Sequence, residues 1–108
     1  EIGLLMSVEN GLKKMGQKHD LGKPDFSLMP PNAELEVVKV LTYGAAKYDR
    51  YNWKYVDSAT DRYFAAARRH MSAVRRGESY DEETGVHHYA HAICSLLFLL
   101  EIELEKDN

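Results

Sequence analysis

The residues best suited to chemistry cluster between Arg69 and His91, in the stretch RHMSAVRRGESYDEETGVHHYAH. Four of the five histidines, His70, His87, His88 and His91, flank an acidic turn that carries Glu78, Asp81, Glu82 and Glu83. Imidazoles and carboxylates at this density suit two tasks: holding a divalent cation, and moving a proton near neutral pH. His88 and His91 stand three apart, a spacing that puts both rings on one helix face within reach of one metal ion. His70 precedes Gly77 by seven residues and His91 follows Gly85 by six, so antiparallel helices joined by the turn bring His70 level with His91. Glu78 and Asp81 then close the site from the turn, which makes Glu78, Asp81, His88 and His91 the expected metal ligands. His70, Glu78, His88 and His91 are the expected catalytic group. Mixed imidazole and carboxylate donors suit zinc, manganese, iron or nickel, whereas carboxylates with waters suit magnesium. A structural alternative stands beside this one: hydrogen-bonded core histidines, with the carboxylates complementing a helix dipole.

A second group is cationic and aromatic: Lys18, Lys23, Lys47, Arg50, Asn52 and Trp53, with Arg69 on the neighbouring helix. Lysines and arginines neutralise phosphate, and an indole stacks on a base. Lys18, Lys23 and Lys47 are therefore the expected phosphate contacts and Trp53 the base platform. Loop lysines are ordinarily solvated and a tryptophan is ordinarily a core anchor, so the structural alternative applies here too.

The rest of the composition sets bounds. At 108 residues the chain is one domain with a modest core, and 44% hydrophobic against 29% charged residues describes a globular protein. A net charge of -3 excludes a general nucleic-acid coat. The single cysteine, Cys94, precludes an intrachain disulfide and suits a reducing cytoplasm. The run from Tyr89 to Leu100 is too short to span a bilayer, and the opening EIGLLM lacks the basic and apolar regions of a signal peptide. His19-Asp20 falls in loop sequence without the helical partners of an HD-type phosphohydrolase. No phosphate-cradling glycine loop is present.

Three main helices must position these groups, giving an all-α class. Residues 1–16 form an N-terminal extension or weak amphipathic helix, and residues 17–108 a single helical domain. Residues 17–31, with all three prolines, read as loop. The first main helix is expected from an Asn32 cap, with Leu35, Val38, Leu41, Ala45 and Tyr48 inward. The second runs from Ser58 or Thr60 to Arg76, stops at Gly77, and places Phe64, Ala67, Met71 and Val74 on its apolar side. The third runs from about Thr84 to Glu105, with an apolar stripe of Val86, Tyr89, Ile93, Leu97, Leu100 and Leu104. Its apolar surface exceeds what two helices cover, which predicts a homo-oligomer.

An ordered set of short motifs completes the reading. Lys18-x-Asp20-x-x-Lys23-Pro24 is followed by Leu28-x-Pro30-Pro31, then by Leu41-Thr42-Tyr43-Gly44-Ala45-x-Lys47-Tyr48 and Asn52-Trp53. Arg69-His70, Gly77-Glu78, Asp81-x-x-Thr84-Gly85 and His88-x-Ala90-His91-Ala92 come after. The set resembles the phage-associated N-terminal domain of dATP/dGTP diphosphohydrolases, over roughly residues 17–103. The resemblance implies metal-dependent cleavage of purine deoxynucleoside triphosphates to monophosphate and pyrophosphate, the reaction of the MazG-like all-α pyrophosphohydrolases. It also implies that Asp20, Asn52 and Arg69 join the lysines and Trp53 around a purine nucleotide, with magnesium or manganese as the metal. MazG-like enzymes hold that metal with E-E-x-x-E and E-x-x-D carboxylates on two helices. Here the corresponding spacing carries His88 and His91, and the second helix has no acidic residue after Asp61. Either the metal is held differently, or the domain is a phage nucleotide- or signal-binding protein without hydrolysis.

Overall fold

The computed structural model describes residues 21–106. Within them lie three α-helices: α1 (Pro31–Tyr48), α2 (Ala59–Arg75) and α3 (His88–Lys106). Single 3-10 turns at Phe26–Leu28 and Asn52–Tyr55 precede α1 and α2. Among the described residues there is no strand, only an isolated antiparallel bridge between Tyr80 and His87. The expected N-terminal helix and the residues Lys18 and Asp20 lie outside the described residues.

Helix α1 starts one residue before the expected cap. Pro31 occupies its first turn and Pro30 the cap position, with no side-chain cap bond. Proline suits this place because its ring presets the helical φ and its missing N–H would have no intrahelical partner. The buried stripe is also rotated: Val37 is buried, with Val40 and Leu41 packed beside it against Val86 and Ala90. Leu35, Val38 and Tyr48, expected inward, are 54%, 47% and 58% exposed. Among the described residues α1 packs chiefly against the start of α3 and the loop before it, at Ala90 and Val86, so a narrow stripe suffices.

Helices α2 and α3 run antiparallel, Tyr63 beside Phe98 and His70 beside His91. Small residues line their meeting faces: Ala67, Ala73, Ala92, Cys94 and Ser95 are buried. Small side chains let helix axes approach closely, and that approach is what brings histidines of different helices into contact. Phe64, expected on the inner side of α2, is 53% exposed, beneath the Arg68 guanidinium. At its end, Gly77 (φ 95) donates to Val74 O and Glu78 to Ala73 O, a Schellman stop.

Helix α3 differs most from expectation. It begins at His88, not near Thr84. The backbone N–H groups that would have opened an earlier helix are bonded elsewhere: Thr84 N to Asp81 Oδ1, Gly85 N to Asp81 O, Val86 N to Thr84 Oγ1. Gly85 adopts φ 72, and the His87 ring accepts the Tyr89 N–H through Nδ1, capping the helix. Of the anticipated apolar stripe, Val86 is buried just before the helix, as expected, but the rest faces outward: Tyr89, Ile93, Leu97, Leu100 and Leu104 are all at least 42% exposed, and Leu96 joins them. No helix among the described residues is long and apolar enough to cross a membrane.

Candidate functional site

The loop between α2 and α3 builds the site. His88 N donates to Ser79 O and Asp81 N to Val86 O, so the loop is closed across its base at the Tyr80–His87 bridge. That closure fixes Asp81 and Thr84 over the first turn of α3. A further clasp holds the loop to α1: Glu83 Oε2 accepts from Tyr43 Oη at 2.5 Å and from Lys47 Nζ at 2.8 Å. The Lys47 ammonium and the Tyr43 hydroxyl pull the Glu83 carboxyl below its usual range.

Five polar side chains meet at this loop. His70 Nδ1 lies 2.8 Å from His88 Nδ1, and the His70 ring stacks on His91 with centroids 4.7 Å apart. Thr84 Oγ1 sits 3.1 Å from Asp81 Oδ1 and 2.7 Å from His91 Nε2. A carboxylate only accepts, so the Thr84 hydroxyl donates to Asp81 and must accept from His91. His91 therefore carries its proton on Nε2 in this arrangement. Asp81 and His91 are themselves 4.0 Å apart, and Glu78 Oε2 lies 3.8 Å from His88 Nε2.

Burial sets the charge states. Loss of solvent, followed by the nearby charges of His91 and His88, pushes the His70 imidazole down to about 4 from an ordinary 6.5. His91 is lowered chiefly by burial, against the pull of Asp81. For Asp81, burial acts upward, but hydrogen bonds from Thr84 and the proximity of His91 outweigh it and hold the carboxyl low. At neutral pH the result is neutral imidazole at His70 and His91 beside an ionised Asp81. A ring nitrogen of His70, one of His88 and an oxygen of Asp81 lie within 4.8 Å of one another, close enough to share one cation. This triplet contains His70 in place of Glu78 and His91 of the expected ligand set. His91 is occupied with Thr84, while Glu78 is 61% exposed at its side chain.

The expected nucleotide contacts are dispersed. Lys23 is exposed in the loop before α1, and Asn52 is exposed at the start of its 3-10 turn. Lys47 is ion-paired with Glu83. Arg69 is exposed on α2, its charge near enough to contribute to the lowering of His70. Trp53 stacks on Phe98 at 4.7 Å and 10°, with Tyr63 tilted against the same ring and bonded to Trp53 O. Phe98 is seven residues beyond His91, about 10 Å along the helix axis. The geometry thus gives Trp53 a packing role. Thr84 and Glu83 were not among the expected site residues. The Asp81-x-x-Thr84 spacing was the available signal for Thr84, since an aspartate readily accepts the N–H three residues on.

A helical domain with an imidazole–carboxylate centre beneath a clasped acidic loop is the class of protein these features define. Residues 13–108 match the family described as "dATP/dGTP diphosphohydrolase, N-terminal", and the chain belongs to that family. It is also 39% identical, over 84 residues, to a dATP/dGTP diphosphohydrolase of Salmonella phage PMBT28. The match covers 78% of this chain and 28% of that relative, so the chain spans well under half the relative's length. No solved structure matches the chain.

Proposed function

We propose that the domain hydrolyses purine deoxynucleoside triphosphates to monophosphate and pyrophosphate with a divalent metal, manganese, magnesium or another transition ion such as zinc, at the centre beneath the loop. The observation that carries this reading is the convergence of His70, His88 and Asp81 in a chain of this family. A bound divalent metal supplies charge stabilisation at phosphate and a more acidic water. The protein's own part is to hold a low-lying carboxylate and neutral imidazoles at one point. Thr84 and His91 fix the orientation of Asp81, and His70 offers a lone pair at neutral pH. Lys23 and Arg69 are the proposed phosphate contacts, joined by Lys18 and by Lys47 once Glu83 releases it; Asp20 and Asn52 complete the proposed nucleotide group. The place of action is the host cytoplasm, and a second copy of the chain covers the apolar side of α3, whose exposure supports self-association.

Pyrophosphate release from dGTP or dATP with manganese or magnesium tests the proposal. Absence of release with every metal and triphosphate sinks it. One observation favours a second reading, a nucleotide- or signal-binding protein without turnover: Lys47 and Trp53 are both engaged within the chain, and only Asp81 supplies a carboxylate to the triplet. Calorimetric binding of dGTP with no chemical change in the nucleotide selects that reading.

A further inference from the structure

The metal half of the proposed function can be taken to a definite ligand set by the hydrogen-bond accounting of one buried ring. His88 is 7% exposed, and its Nε2 has no hydrogen-bond partner among the described residues. Its other nitrogen faces His70 Nδ1 at 2.8 Å. Two imidazoles meeting at Nδ1 can share only one proton there, so one ring donates and the other accepts. If His88 donates, its Nε2 is a bare lone pair in the interior. If it accepts, its Nε2 carries a proton that falls short of Glu78 Oε2, 3.8 Å away. The first tautomer leaves a buried lone pair that the Glu78 carboxylate cannot meet, and the second a proton that Glu78 meets only by closing that gap; an unsatisfied buried polar atom is uncommon and costly.

We propose that His70, His88 and Asp81 form a binding site for one first-row transition cation, zinc, manganese, iron, cobalt or nickel, in preference to magnesium. A cation between the two Nδ1 atoms takes the place of the shared proton, and both rings then carry their protons on Nε2. With the His88 proton then fixed on Nε2, the exposed Glu78 carboxylate, 3.8 Å away, has a donor to close upon, in the carboxylate–histidine–metal order that fixes ring orientation in metal sites. Two imidazoles and one carboxylate suit a borderline transition ion, whereas magnesium favours oxygen donors and keeps its waters. Three protein ligands leave coordination positions for water and phosphate. At bond lengths of about 2.0–2.1 Å, nitrogens 2.8 Å apart subtend about 85° at the metal, near the right angle of adjacent octahedral positions. Tetrahedral zinc requires about 3.3 Å, so the two rings would part by about half an ångström to take it. Thr84, which donates to Asp81 Oδ1 and accepts from His91 Nε2, stays outside the ligand set with His91.

The inference rests on the metal half of the proposed function and not on turnover, so its test needs no nucleotide. The full chain is stripped with EDTA and titrated with cobalt(II), read by its visible absorption, and with zinc, manganese and magnesium by calorimetry. Expected are one cobalt or zinc per chain, binding at least tenfold tighter than magnesium, and a loss of tenfold or more in His70→Asn, His88→Asn and Asp81→Asn. His87→Asn, outside the triplet, keeps wild-type affinity, and circular dichroism shows which variants retain their helices. No cobalt or zinc binding by the wild type overturns the site, as does undiminished binding in a helical His70→Asn/Asp81→Asn double variant. Metal binding without pyrophosphate release leaves the site standing and removes the hydrolase reading. Release with magnesium alone and no transition-metal binding does the reverse.

Discussion

Replacing Phe98 with alanine tests whether Trp53 is held by the protein or presented to a ligand. Phe98 takes the Trp53 indole on its face and Tyr63 at a tilt, and Tyr63 Oη bonds Trp53 O at 3.0 Å, so two aromatic side chains depend on one ring. A fully buried Phe→Ala change costs about 3–5 kcal/mol, and each aromatic pair adds about 0.5–1.5 kcal/mol beyond area. Phe98 is only partly buried, so the cavity is open to water and the expected loss is about 2–3 kcal/mol. At about 4–8 °C per kcal/mol for a domain of this size, Tm should fall by about 10–20 °C. Urea and thermal melts by circular dichroism measure the loss. Trp53, the only tryptophan, reports locally, and its emission should shift to the red in the folded variant. Phe98→Leu, which keeps the volume but not the stack, should lose about 1 kcal/mol. A loss below about 1 kcal/mol for Phe98→Ala with unshifted emission would refute the packing role and return Trp53 to the surface as a free indole.

In EDTA, acidification should destabilise the fold. His70 titrates near 4 when folded and near 6.5 when free, so the unfolded chain takes up a proton that the folded chain refuses. That stability is complete above pH 6.5 and drains away as pH falls toward 4; after allowance for solvent around the half-buried ring it amounts to about 1–2 kcal/mol. His91, lowered in the same direction, steepens the slope, and Asp81 adds a further loss below its own free value of 3.8. Urea melts of wild type and His70→Asn between pH 7 and 4.5 decide the matter, identical slopes being the contrary result. Gly77→Ala meets no atom within 4 Å but must hold φ 95, so it should cost about 1 kcal/mol by conformation alone; a neutral result in thermal melts would contradict the Schellman stop. Glu83→Ala frees Tyr43 and Lys47 on an exposed surface, so the melt should move by less than about 1 kcal/mol. Hydrogen exchange at Asp81–Val86 should rise in the same variant, and unchanged exchange would deny the clasp a role in holding the loop.

The parts of this fold that depend on local chemistry were readable from residue order. Gly77 ends α2 because glycine takes the left-handed turn at least cost, and the all-α class of the described residues follows from periodicity over long segments. What periodicity could not reveal was which apolar face would be covered. On α3 the large residues Tyr89, Ile93, Leu97 and Leu100 form the stronger hydrophobic stripe, yet the chain buries Ala92, Cys94 and Ser95. A hydrophobic stripe records where apolar area lies. It does not record how closely another backbone can approach, and closeness favours the smallest side chains.

The same distinction explains the site. Helical spacing placed His88 and His91 on related faces, and the turn length brought His70 to their level, but spacing treats an imidazole as a point. Contact geometry adds the ring's two distinct nitrogens. Thr84 accepts the His91 Nε2 proton because its own hydroxyl is committed to Asp81, which removes that nitrogen from a shared cation position. His88 lies against His70 because alanines between α2 and α3 leave no bulk to separate them, and its remaining nitrogen is buried without a partner among the described residues. The close approach of the helices and the engagement of His91 with Thr84 therefore make His70 the companion of His88. A substitution such as Ala67→Leu, which wedges the helices apart without touching a histidine, should weaken any cation bound there along with the fold, and cobalt titration of the folded variant would separate the two effects.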